Sequence, residues 1–124
     1  ANTAWAFSTA GVSAAEAPLL FKAVAAESSK KIGKFKPQEV ANTLWAMSKA
    51  GAKAPALFEV AAEASSWKIG TFNAQNLANT VWAFATARFQ APALFAAVEA
   101  EATIKVAGFN SQDLANTVWA YSTA

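Results

Sequence analysis

Three residue types recur in this chain at spacings that could serve chemistry. Lysine stands at 31, 68 and 105, two steps of 37 residues. Cations at an even pitch suit a phosphate backbone running along the molecule. They equally suit a helix C-terminus, where a positive charge is worth about 0.3–1 kcal/mol. Asparagine stands at 42, 79 and 116, each inside the sequence Ala-Asn-Thr-x-Trp-Ala. A carboxamide carries a donor and an acceptor, so it can pair with a base edge or with its neighbour in a ladder of hydrogen bonds. The third type is the tryptophan of the same motif, at 45, 82 and 119, with an earlier copy at Trp5. At an apolar helix position such a ring is expected to pack as a seam between units, and base stacking is its other use.

A surface that reads a nucleic-acid sequence must differ from repeat to repeat, because each repeat meets a different base. The constancy of Asn42, Asn79 and Asn116 therefore points to scaffolding, although the three remain candidates for base contact. Variable positions are the better ones. Glu39, Asn76 and Asp113 form one such column, and Lys49, Thr86 and Thr123 form another.

Catalysis finds little to work with. The chain has no His and no Cys, and its eight acids do not recur at one repeat position. No glycine-rich phosphate loop or metal-ligand cluster is present, so no catalytic residue, metal or cofactor is expected. A net charge of +2 permits a polyanionic partner without requiring one. Alanine inflates the 55% hydrophobic fraction. No uninterrupted apolar run approaches the ~18 residues of a spanning helix.

The elements that position these residues follow from the repeat. The motif opens at Ala1, Ala41, Ala78 and Ala115, with its tryptophans 40, 37 and 37 residues apart. Self-similarity at such a period marks a stacked array. Pro18, Pro55 and Pro92 align as helix openers, Gly11, Gly33 and Gly51 as stops, and Asn73 and Asn110 as N-caps. The pattern predicts B helices over 18–32, 55–69 and 92–106, and A helices over 37–50, 74–87 and 111–124. The fold class is all-α: a right-handed α-solenoid of stacked antiparallel helix pairs with a repeat of about 37 residues. The units are a partial repeat at 1–10, then about 11–50, 51–87 and 88–124, one segment of a longer array. Both ends present apolar helix faces, so further repeats of the same chain are expected there.

Each A helix carries a broad apolar stripe, such as Val40, Leu44, Trp45 and Met47, then Leu77, Val81, Trp82 and Phe84. The B helices contribute Leu20, Phe21 and Val24, then Leu57 and Phe58, then Leu94, Phe95 and Val98. Gln38, Asn42, Trp45 and Lys49 fall together along the polar edge, as do their equivalents in the next two units. Trp67 stands outside the motif, aligned with Lys30 and Ile104 on the side opposite the buried one. Phe89 replaces a small loop residue, Ala52. Trp67, Phe89 and Ile104 are thus candidates for a protein-facing patch, unless a neighbouring loop covers Trp67.

The runs FNAQNLANTVWAFATA (72–87) and FNSQDLANTVWAYSTA (109–124), with Ala-Pro-x-Leu-Phe opening the B helices, resemble the octotricopeptide-repeat family. Related repeats accompany FAST-kinase-like and RAP domains. The resemblance covers the whole chain. It implies an α-solenoid in a chloroplast or mitochondrion that binds single-stranded organellar RNA and acts in its stability, processing or translation. On that reading Lys31, Lys68 and Lys105 meet phosphates and the polar columns meet bases. The alternative is a scaffold subunit that binds protein within a large organellar assembly, such as a ribosome or photosynthetic complex.

Overall fold

The structure, a computed structural model, describes residues 13–124. The first motif copy, with Trp5 and the Gly11 stop, lies outside the described residues. All regular structure among the described residues is helical: α1 (Pro18–Lys31), α2 (Pro37–Lys49), α3 (Pro55–Trp67), α4 (Ala74–Thr86), α5 (Pro92–Lys105) and α6 (Ser111–Thr123). None is long and apolar enough to cross a membrane.

Local chemistry sets the boundaries. Proline occupies the first turn of α1, α2, α3 and α5, where its missing N–H goes unmissed. Asn73 caps α4 by accepting from the Asn76 backbone N–H at 2.8 Å, and Asn110 caps α6 by accepting from Asp113 at 2.7 Å. Helix α2 ends in a Schellman motif: the Ala52 N–H donates to Met47 O at 2.9 Å and the Gly51 N–H to Ser48 O at 3.2 Å. Gly51 takes the left-handed conformation this needs, with φ 76°. Helix α4 ends the same way, and there Arg88 holds φ 57°.

Gly33 does not act as the expected stop. Helix α1 ends at Lys31 and passes into a 3-10 turn, Ile32–Lys34, which recurs as Ile69–Thr71 and Val106–Gly108. After each turn a phenylalanine N–H donates back to the first residue of the turn, from Phe35, Phe72 and Phe109. Phe72 and Phe109 are buried, so the turn directs an aromatic plug into the core.

The helices form two layers. Helices α2, α4 and α6 pack side by side in one, and α1, α3 and α5 in the other. The α2–α4 and α4–α6 contacts are the most extensive. Small residues explain this, because Ala41, Ala46, Ala78 and Ala83 are all buried and let the helices approach closely. The core runs between the layers through Val40, Leu44, Met47, Leu57, Phe58, Leu77, Val81, Phe84, Leu94 and Val98. Leu20, expected inside, is partly exposed, whereas its equivalents Leu57 and Leu94 are buried.

The outer side of α6 shows what a stacked neighbour contributes. Val81 on α4 is 0% exposed, and its equivalent Val118 on α6 is 66% exposed. Leu77 and Leu114 differ in the same sense. Burying one such side chain stabilises by about 1.5–3 kcal/mol, so α6 presents a face shaped for another helix.

Candidate functional site

The side of α2, α4 and α6 that faces away from the core carries four columns. They begin with Gln38, Asn42, Trp45 and Lys49, residues spaced to share one helix face. Helix α4 continues the columns with Gln75, Asn79, Trp82 and Thr86, and α6 with Gln112, Asn116, Trp119 and Thr123.

The tryptophans are not the buried seam expected of them. Trp45 and Trp82 are half-buried and Trp119 is exposed. They stack along the surface instead, with ring centroids 6.0 Å apart between Trp45 and Trp82 and 6.1 Å between Trp82 and Trp119. Interplanar angles of 34° and 36° give a regular tilted ladder. The Lys49 ammonium sits 4.7 Å above the Trp45 ring, a cation–π contact at one end of the ladder. The ladder runs across the helices, so each unit contributes one ring.

The asparagines form no hydrogen-bonded ladder. Asn42, Asn79 and Asn116 are each half-exposed. Their carboxamides make no hydrogen bond among the described residues, and the same holds for Gln75 and Gln112. A cleft of about 180 Å³ is lined by Asn42, Asn79, Gln75, Gln112 and Trp45 together with Asn110 and Asp113. That volume is well below the roughly 300–1,000 Å³ of a small-molecule pocket. The cleft suits one edge of a larger ligand.

Other candidates for base contact have local duties. Asn76 and Asp113 are buried, and each closes a capping box by accepting from the cap residue's own backbone N–H, at 3.1 Å in both cases. Glu39 does the equivalent for Lys36 at 2.9 Å. These three base-contact candidates thus have a structural role, each turned to the backbone of its own cap. The Thr86 hydroxyl oxygen is enclosed and has no partner, so it too is withheld from solvent.

The repeated lysines do not behave alike. Lys68 Nζ donates to the Phe35 carbonyl at 2.6 Å. Lys105 Nζ donates to the Phe72 carbonyl at 2.6 Å and to Gly70 O at 3.0 Å, and it pairs with Glu101 at 3.0 Å. Both lysines reach one unit back along the chain and bind the carbonyl of the plug phenylalanine. They bracket successive units, so each ammonium has a structural role beside its candidacy as a phosphate ligand. Lys31 makes no such reach among the described residues. It pairs with Glu27 at 3.0 Å in an exposed i,i+4 contact. That ammonium holds the Glu27 carboxyl below its usual range, chiefly through the hydrogen bond.

Two of the three protein-interface candidates project outward. Trp67 is 86% exposed and Ile104 is 77% exposed, at equivalent ends of α3 and α5, so no loop among the described residues covers Trp67. Phe89 is the exception. It packs against Phe58 and Phe84, with ring centroids 6.1 and 6.0 Å away. The cause is the Schellman turn, which seats the residue after its left-handed position against the helix's last turn. A phenylalanine at 84 was the available signal.

A larger recess, about 690 Å³, lies at the far end of the layers and is lined by Phe84, Phe89, Phe95 and Tyr121 among others. Phe95 and Tyr121 pack at 5.0 Å as Phe58 and Phe84 do one unit earlier. In that earlier unit Phe89 covers the aromatic pair, so the recess repeats a packing seat. The Tyr121 hydroxyl donates to Phe95 O at 2.6 Å. Burial, with a smaller contribution from the Glu99 charge, pushes its pKa up to about 12.

A family model, that of the RNA-editing substrate-binding complex 6 protein, matches residues 5–123. No curated protein and no solved structure matches the chain.

Proposed function

The chain belongs to the family of the RNA-editing substrate-binding complex 6 protein, and from that premise we propose that it holds single-stranded RNA along the outer face of α2, α4 and α6. The carrying observation is the half-exposed tryptophan ladder flanked by carboxamides that have no internal partner. Aromatic platforms beside neutral hydrogen-bonding groups accept unstacked bases. The module is a non-catalytic, cofactor-free, right-handed α-solenoid with a repeat of about 37 residues, of octotricopeptide type. It acts in organellar RNA metabolism, and a further repeat packs on the open face of α6.

With Lys68 and Lys105 occupied by carbonyls, stacking outweighs charge in this reading. Lys49 remains on that face for a phosphate. One phosphate contact gives a salt slope of roughly −0.7 for a single strand. Polarisation of a labelled single-stranded RNA, titrated with protein across a salt series, tests this. Trp82→Ala is expected to weaken binding about 5- to 150-fold, the worth of one stacked base at 1–3 kcal/mol. No binding at the lowest salt would overturn the proposal.

A second reading has its own observation. Trp67 and Ile104 stand exposed on the opposite layer, as a protein-docking patch of a scaffold subunit would. RNA binding unchanged in Trp67→Ala, with loss of a co-purifying protein, would assign the two faces to two partners.

A further inference from the structure

We propose that the outer face of α2, α4 and α6 holds a run of adenines, one base per repeat, and so prefers an adenine tract to a mixed sequence. The inference rests on the RNA-binding reading above and deepens it.

Three observations carry it. First, the glutamine, asparagine and tryptophan columns are identical in every described unit. Each repeat therefore presents the same chemistry, and identical sites in series select identical bases. Second, the asparagine and glutamine carboxamides at the cleft have no internal partner and are accessible. A carboxamide offers a donor beside an acceptor. Adenine answers on both free edges of an unstacked base, with N7 beside N6–H and with N1 beside N6–H, whereas guanine, cytosine and uracil set a donor beside an acceptor on the Watson–Crick edge alone. Third, the ladder step is 6.0–6.1 Å. That is nearly twice the 3.4 Å rise of a stacked strand, so bases taken one per repeat must be unstacked, with their edges free. It is also less than the roughly 6.8 Å that two stacking gaps of 3.4 Å require. A base cannot slide between rings and must lie against the exposed part of the indoles, where a purine covers more of the ring than a pyrimidine does.

The experiment compares labelled oligoadenylate, oligouridylate, oligocytidylate and a mixed-sequence RNA, each about 12 nucleotides long to cover the face with margin. The full chain is used and binding is read by polarisation. Oligoadenylate is expected to bind at least about tenfold more tightly, in line with 1–3 kcal/mol per bidentate pair. Asn79→Ala and, separately, Asn42→Ala should remove most of that preference with unchanged melting temperature. Equal binding of all four RNAs overturns the adenine assignment and leaves the RNA-binding reading standing, as a base-tolerant platform. Retention of the preference in both variants also overturns it, because the carboxamides would then not be the readers. Binding of none of the RNAs overturns both.

Discussion

Replacing Lys105 by methionine separates the two meanings of the repeated lysine. Methionine keeps most of the apolar stem and removes only the ammonium. That ammonium donates to Phe72 O at 2.6 Å and Gly70 O at 3.0 Å, and pairs with Glu101 at 3.0 Å. The two paired side chains are 30% and 19% exposed, so water screens them only in part. Hydrogen bonds to a charged group contribute about 1.5–3 kcal/mol. The Gly70 carbonyl lies at an exposed turn and rehydrates when the lysine goes, which favours the lower half of that range, about 2 kcal/mol. An unfolding entropy of roughly 2.1 cal/mol/K per residue over 124 residues converts that into a melting temperature about 8 °C lower. Lys31→Met removes only the Glu27 pair, whose side chains are 61% and 55% exposed. An exposed i,i+4 pair is worth about 0.3–0.5 kcal/mol, or roughly 1–2 °C by the same conversion. Circular-dichroism melts of the two variants beside the parent decide the matter. Equal melting temperatures for the two variants, together with equal losses of RNA affinity, would refute the bracket and restore the phosphate reading.

Arg88 occupies the left-handed position that Gly51 fills one unit earlier, at φ 57° against 76°. A side chain there costs roughly 1 kcal/mol, partly offset by the freedom glycine gains on unfolding. Arg88→Gly should therefore raise the melting temperature by a few degrees, and a decrease would show that the Arg88 side chain contributes more than its backbone costs. Tyr121 supplies a pH dependence. Its pKa rises from 10.0 to about 12 in the fold, so the folded state holds the proton more tightly than the unfolded chain. Its stabilising contribution is complete below about pH 10 and is lost as pH rises through about 12. Urea midpoints should fall more steeply above about pH 10 in the parent than in Tyr121→Phe, and identical slopes would remove Tyr121 as the cause.

The helices were legible because their punctuation is local. Proline at the first turn, asparagine at the cap and glycine at the left-handed stop each act within a few residues. The 3-10 turn at Gly33 was not legible, since glycine there needs no positive φ and marks only the place where the chain tightens toward Phe35. Depth was harder still. A helical wheel gives the direction of Trp45 but not how far the neighbouring helix extends. Close packing through Ala41 and Ala78 leaves the indoles at the rim instead of between the helices. The lysine brackets span 33 residues. Their even pitch was visible, but an ammonium donates to a phosphate oxygen and to a carbonyl oxygen alike, and only coordinates distinguish the two.

Constancy within a repeat array has more than one cause, and the lysine, tryptophan and asparagine columns divide along that line. The lysine column is accounted for from inside, because Lys68 and Lys105 hold the carbonyl of the preceding unit's plug. The tryptophan column is accounted for in part, because neighbouring indoles meet at about 6 Å while each stays at least partly exposed. The asparagine column has no such account. Its carboxamides are half-exposed and bond to nothing in the described chain. Left in water, an amide there contributes nothing to stability that alanine, a better helix former by about half a kcal/mol, would not exceed. A residue repeated in every unit at a small cost to its own helix, with no partner inside the fold, points to a partner outside it. Sequence-reading arrays vary at such positions because their ligands vary. This array does not vary there, and the simplest ligand that matches an unvarying surface is itself a repeat.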